Sequence, residues 1–301
     1  MKKILLTTVT GLLLLAACGN EADRTAESGS SRSDRSTTSA PEGARRIVSL
    51  SPTATEMLFA IGADDQVVAV DDQSNYPADA PRTKLSAYTP NVEAIAGYKP
   101  DLVVIADDSK GLKAGLEKLG LEVLLQPAAV TVADTYEQML ELGDVTGHRE
   151  EAEEENAAIR RGLADAVADL PDRRRPLTYY YELDNTLYTV TSKTFVGTLL
   201  TLAGLRNIAD AADAGGKSGG YPQLSAEYLL TADPDMVFLA DTKCCQQNAK
   251  TFAARPGFAA LRAVTAGQVV PLDDDIASRW GPRIVELLET VVKEVKAVPA
   301  S

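Results

Sequence analysis

The feature that most constrains this chain is that one segment of it occurs twice. Asn91-Val92-Glu93 is followed by Lys99-Pro100-Asp101-Leu102-Val103-Val104-Ile105-Ala106-Asp107. Much later, Ser225-Ala226-Glu227 is followed by Asp233-Pro234-Asp235-Met236-Val237-Phe238-Leu239-Ala240-Asp241. In each copy a Glu opens a short helix, Pro-Asp follows at the same spacing, and an apolar strand ends in Ala-Asp. So long a period is not that of a solenoid. It predicts one α/β unit built twice, and therefore two lobes.

The rest of the pattern agrees. Short apolar runs at Ile47–Leu50, Val67–Val70, Leu102–Ile105 and Glu122–Leu125 alternate with helical periodicity, as over Leu112–Leu119. Such alternation indicates a parallel sheet covered by helices. Thr53 and Glu56 have capping-box spacing ahead of Met57, Leu58 and Ile61. Between the lobes, Glu150–Leu170 is rich in helix formers, with Ala157, Ile159, Leu163, Ala166, Val167 and Leu170 along one face. A helix of about 20 residues spans about 30 Å, enough to run from one lobe to the other. The expected fold is α/β, with two lobes, each a small mainly parallel sheet flanked by helices, joined by one long helix. The expected boundaries are 45–147 for the N-terminal lobe, 148–172 for the interlobe helix and 173–301 for the C-terminal lobe.

Ahead of this body, Lys2 and Lys3 precede a short apolar run, Leu5–Ala17, too short to span a bilayer as a stable helix. It ends Leu15-Ala16-Ala17-Cys18, which resembles the lipobox of bacterial lipoproteins. The resemblance implies a signal peptide over 1–17, lipidation of Cys18, and a protein held on the outer side of the cell membrane by acyl chains. Residues 18–44 are mostly Ser, Thr, Arg, Asp, Glu and Gly, and are expected to form a flexible tether. The formal charge of −13 argues against nucleic acid and against a polybasic membrane patch.

Taken in order, several short motifs resemble the helix-linked (class III) substrate-binding proteins of ABC importers for cobalamin, haem and ferric siderophores. They are Arg46-Ile47-Val48-Ser49-Leu50-Ser51-Pro52 with Thr55-Glu56, Asn75-Tyr76-Pro77, and Asn91-Val92-Glu93 with Lys99-Pro100-Asp101. In the second lobe they are Tyr221-Pro222-Gln223-Leu224-Ser225-Ala226-Glu227 and Arg279-Trp280-Gly281-Pro282-Arg283. The match covers Arg45 to Val298 and is nearest to periplasmic cobalamin-binding proteins. It implies a monomeric protein that takes up a small-molecule metal chelate, with an ABC permease and its ATPase as partners. It also implies that Glu93 and Glu227, one on each lobe, dock onto the permease, where opposite charges would steer the encounter. In that family an aromatic ring from each lobe lies against the flat ligand. Tyr221 stands where the family has Trp, and the first-lobe match falls on Ala87 with Tyr88 beside it. Cobalamin is the expected ligand, with haem or a ferric siderophore as alternatives.

In open α/β sheets ligands bind beyond the carboxyl ends of the strands. The expected ligand-binding set is Ser51, Tyr76, Tyr88, Tyr221, Asp275, Arg279 and Trp280. An anionic siderophore would call on cations such as Lys217, Lys243, Arg255 and Arg279. The glycines between Gly215 and Gly220 lack P-loop spacing and are expected to form a mobile loop leading to Tyr221. Cys244-Cys245 is a candidate vicinal disulfide, the only pairing within one molecule once Cys18 is acylated. The sole histidine, His148, begins the linking helix, so no imidazole set for a metal and no Ser–His–Asp or Cys–His arrangement is available. An extracellular enzyme is the distant alternative, and no cofactor is expected.

Overall fold

Each copy of the repeat lies at the centre of its own sheet. The structure is a computed structural model that describes residues 43–108 and 110–299. The segment read as a signal peptide, Cys18 and the tether up to residue 42 lie outside the described residues. The first half runs β1 (Ile47–Leu50), α1 (Pro52–Ala60), β2 (Val67–Val70), α2 (Val92–Ala96), β3 (Leu102–Ile105), α3 (Leu112–Glu117), β4 (Glu122–Leu125) and α4 (Val132–Thr146). The linking helix α5 (Arg149–Val167) follows. The second half runs β5 (Thr178–Glu182), α6 (Phe195–Leu202), β6 (Arg206–Asn207), α7 (Ala226–Ala232), β7 (Met236–Leu239), α8 (Ala249–Ala253), α9 (Arg262–Thr265), β8 (Val269–Pro271), α10 (Asp274–Ala277) and α11 (Ile284–Ala297).

The strand orders are β2-β1-β3-β4 and β6-β5-β7-β8, with every pairing parallel. One order maps onto the other, with β3 and β7 in equivalent positions. All four residues of β1, of β3 and of β7 are buried, because helices cover both faces. The equivalence extends to the backbone. Lys99 and Asp233, each just before the Pro-Asp pair, both take a left-handed conformation, with φ of 51° and 40°. The aspartate after each proline then ties down the start of the neighbouring strand. Asp101 accepts the backbone N–H of Arg45 at 3.2 Å, and Asp235 accepts that of Thr178 at 2.9 Å.

The linking helix is shorter than its pattern. It ends at Val167, where Ala168 N–H turns back to the Asp165 carbonyl, four residues before Pro171. Its buried residues Ala152, Ile159 and Leu163 belong to one apolar cluster that includes Ile47 and Val104 of the first sheet, Tyr179 and Phe238 of the second, and Val291 of α11. Only the outer faces of the two sheets have cores of their own. The lobes therefore share their central hydrophobic layer.

A buried ionic cluster crosses the same seam. The Glu56 carboxylate, on α1, accepts hydrogen bonds from Arg279 Nη1 at 2.7 Å and Arg283 Nε at 2.9 Å. The capping-box reading of Thr53 and Glu56 does not hold. Ser51 is the N-cap, its Oγ accepting the Ala54 N–H at 3.2 Å, and Glu56 turns inward to the arginines. Removing one member of a buried, hydrogen-bonded cluster leaves uncompensated charge, at a cost of about 3–5 kcal/mol. Glu56→Ala is expected to lose stability of that order in urea unfolding, since two arginines would lose their shared partner.

Candidate functional site

The loops after the carboxyl ends of the strands make the site. In the first lobe they enclose a pocket of about 300 Å³, whose lining includes Leu50, Asp71, Gln73, Tyr88, Asp107 and Lys110. Asp71 follows β2 and is fully buried. Its Oδ1 accepts the Ser74 N–H at 2.9 Å and the Ser74 hydroxyl at 2.6 Å, while its Oδ2 has no protein partner. Burial raises this carboxyl above its ordinary value, against the hydrogen bonds from Ser74 and the nearby backbone N–H of Gln73. Tyr88 is 73% exposed, and its carbonyl accepts Lys110 Nζ.

In the second lobe, Tyr188 and Tyr221 are 42% and 50% exposed. They are carried by adjacent segments. Thr189 N–H bonds to the Pro222 carbonyl, Thr191 N–H to the Gly220 carbonyl, and Leu224 N–H to the Leu187 carbonyl. The glycine loop ahead of Tyr221 is hydrogen-bonded to Asp213. Asp213 accepts the backbone N–H of Ser218 and of Gly220, each at 2.9 Å, and these bonds lower its carboxyl below the usual range. Gly220 itself has φ of 92° and lies where a Cβ would come within 2.9 Å of Thr194 Cγ2. Tyr188 was not among the expected residues. Its only sequence signal is the Asp184-Asn185 turn ahead of it.

Beneath these loops is a second buried acidic group. Glu182, the last residue of β5, forms two hydrogen bonds with Arg255, at 2.7 and 2.5 Å. Asp241, just beyond β7, is fully buried, and neither of its oxygens has a partner of fixed geometry. Burial, and then the neighbouring Glu182 carboxylate, push the Asp241 carboxyl up to about 7.

Of the seven residues expected to bind ligand, only Tyr88 and Tyr221 present a free, exposed ring. Ser51 is 2% exposed and its hydroxyl caps α1. Tyr76 lies in a separate groove beside α1 and α11, with the Arg283 guanidinium 4.1 Å from its ring centre. Asp275 accepts hydrogen bonds from Asn75, Lys243 and Arg279. Besides Glu56 and Asp275, Arg279 donates to the Gln73 carbonyl and to Asn75 Oδ1. Trp280 is half-buried, its indole N–H donating to Gln138 Oε1 at 2.8 Å and its carbonyl accepting the Thr135 hydroxyl. Asp275, Arg279 and Trp280 thus tie the segment before α11 to the first lobe, through Glu56, Gln73, Asn75, Thr135 and Gln138. The bracing also places the first-lobe pocket at the seam, because Gln73 is shared by both.

The cations suggested for an anionic chelate are largely occupied. Arg255 serves Glu182, Arg279 serves the brace, and Lys243 Nζ binds Asp273 at 2.8 Å and Asp275 at 2.5 Å. Lys217 is exposed and meets no acidic side chain among the described residues. Cys244 and Cys245, the expected vicinal pair, lie side by side with their sulfurs 2.6 Å apart. Their loop is held by Asp274, which accepts the backbone N–H groups of Thr242, Lys243 and Cys244.

Glu93 and Glu227 sit in the first turns of α2 and α7, two residues beyond the N-caps Asn91 and Ser225. Both are exposed, at matching places in the two halves. A family model described as periplasmic binding protein matches residues 47–276. The chain belongs to that family. It is 33% identical over 80% of its length to a cobalamin-binding protein of Halobacterium salinarum, covering 66% of that relative. It is 25% identical over 94% of its length to an uncharacterized ABC transporter substrate-binding lipoprotein, YvrC, of Bacillus subtilis, covering 93% of it. Among solved structures, the periplasmic vitamin B12 binding protein BtuF of Vibrio cholerae superposes with a TM-score of 0.68 at 28% identity, over 84% of this chain and 97% of that one. The periplasmic haem binding protein HutB of Vibrio cholerae shares the fold, with a TM-score of 0.72 at 21% identity over 84% of this chain and 99% of that one.

The Asp241 carboxyl generates a pH prediction. Its folded value is above its unfolded one, so its contribution to stability is complete below about pH 4 and is lost as pH rises through about 7. Asp241→Asn removes the ionisation. Melting temperatures should show the variant gaining on the wild type between pH 4 and 7, with the difference level above that.

Proposed function

We propose that this protein is the extracytoplasmic solute-binding lipoprotein of an ABC importer, that it captures cobalamin or a related corrinoid between its lobes, and that it delivers the ligand to the permease. The observation that carries the reading is the pair of exposed, unengaged rings, Tyr88 in the first lobe and Tyr221 in the second, on loops at the carboxyl ends of the two sheets. Tyrosine offers an apolar face for a large flat ligand while its hydroxyl stays wet. Tyr188 adds a further ring on the Tyr221 side. The occupied cations favour a ligand without net negative charge, and thereby favour a corrinoid over a siderophore. The cobalamin-binding and vitamin B12 binding relatives support the same ligand class. Haem is the second reading, favoured by the exposed phenol groups, which are suitable ligands for ferric iron. In both readings Glu93 and Glu227 meet cationic groups of the permease, and the lipid on Cys18 keeps the receptor at the membrane.

Two measurements test this. Purified residues 19–301 should retain a corrin absorption spectrum after mixing with cyanocobalamin and desalting. A retained Soret band with haemin, and no retained corrin, would replace the ligand and keep the transport role. Charge reversal at both Glu93 and Glu227 to Lys should abolish cobalamin-dependent uptake in cells while leaving the Kd for ligand unchanged. Uptake that survives the double reversal would remove these residues from docking.

A further inference from the structure

The first-lobe pocket has a feature that the aromatic rings do not explain. A carboxylate oxygen that is fully buried and unbonded is costly, since each unsatisfied buried polar group forfeits its hydration. Asp71 Oδ2 is such an atom, and its residue lines a pocket with apolar walls such as Leu50, Ile105 and Leu112. The Ser74 bonds fix the other oxygen, so the carboxyl group has one orientation. Among the described residues no cation compensates it. Lys110 Nζ is directed to the Tyr88 carbonyl, Arg82 to the Asp72 carbonyl, and Arg279 to the Gln73 carbonyl and Glu56. The charge that bears on Asp71 is Asp72, of like sign. Nor is the site a metal cage, because no group of three or more His, Cys, Asp or Glu among the described residues is placed to hold an ion. A second carboxylate, Asp107, lines the same pocket.

We infer that Asp71 is a specificity-determining residue, whose Oδ2 accepts a hydrogen bond from an N–H donor on the ligand rim, a primary carboxamide, and whose charge excludes ligands with carboxylates at that position. The inference rests on the corrinoid reading for the identity of the donor, since a cobalamin rim carries carboxamides where a haem carries carboxylates. A pocket of about 300 Å³ holds one edge of such a ligand and leaves its flat face to the tyrosines. Gln73 beside it offers an amide able to bond the same rim group as donor or acceptor.

The test compares wild type with Asp71→Asn, which keeps an oxygen for Ser74 and replaces the free oxygen by an NH₂ group. Kd values are measured for cyanocobalamin, for its derivatives in which rim amides are hydrolysed to carboxylates, and for haemin. The melting temperature serves as the folding control. Wild type should bind cyanocobalamin more tightly than the carboxylate derivatives. Asp71→Asn should weaken cyanocobalamin about 10- to 100-fold, the worth of a hydrogen bond to a charged group, and should narrow or reverse the preference. An unchanged Kd for cyanocobalamin in a folded variant overturns the inference and leaves the corrinoid reading standing. If wild type retains haemin and no corrinoid, the ligand reading fails and haemin decides. Tighter haemin binding by Asp71→Asn upholds the charge filter, and unchanged binding overturns it.

Discussion

Glu56 is the group on which the arrangement of the two lobes depends. A carboxylate in a low-dielectric interior is costly, and pairing with full hydrogen bonding offsets most of that cost. Its partners, Arg279 and Arg283, come from the far end of the chain, between α10 and α11. Satisfying Glu56 therefore brings the last segment of the second lobe against the first helix of the first. Arg279 then extends the brace to the loop after β2 through Gln73 and Asn75. The candidate site lies beside this braced seam.

Much of the fold was legible in the sequence, for a physical reason. The repeated Pro-Asp and the apolar run after it are local signals, and they mark the same structural event twice. A left-handed residue precedes the proline, an aspartate ties the next strand, and a strand is buried on both faces. Because Lys99 and Asp233 share that conformation although their side chains differ, the repeat is stronger in the backbone than in the letters. The linking helix was legible from its apolar face. Its end was not, because Ala168–Leu170 continue the helical pattern and only the turn back to Asp165 and Val167 stops it.

The site was legible only in part. Exposed rings next to turn signals, such as Tyr88 and Tyr221, can be read from a sequence. The fate of a charged or hydroxyl group cannot, because it depends on partners remote in the chain. Arg279 and Glu56 are 223 residues apart, and Trp280 and Gln138 are 142 apart. The motif around Arg279 and Trp280 encodes contacts between the lobes that its sequence does not announce. Asp71 was overlooked for the complementary reason. An oxygen that lacks a partner is a property of three dimensions, and the Asp71-Asp72 pair reads as an ordinary solvated loop.

The shared apolar layer has a consequence for how such a chain becomes a folded protein. Ile47 of the first strand and Val291 and Val295 of the last helix lie in one cluster. The central layer thus closes only when both ends of the body are present. Until α11 is present, that shared layer lacks Ile284, Leu288, Val291 and Val295. Contacts of such sequence separation form slowly.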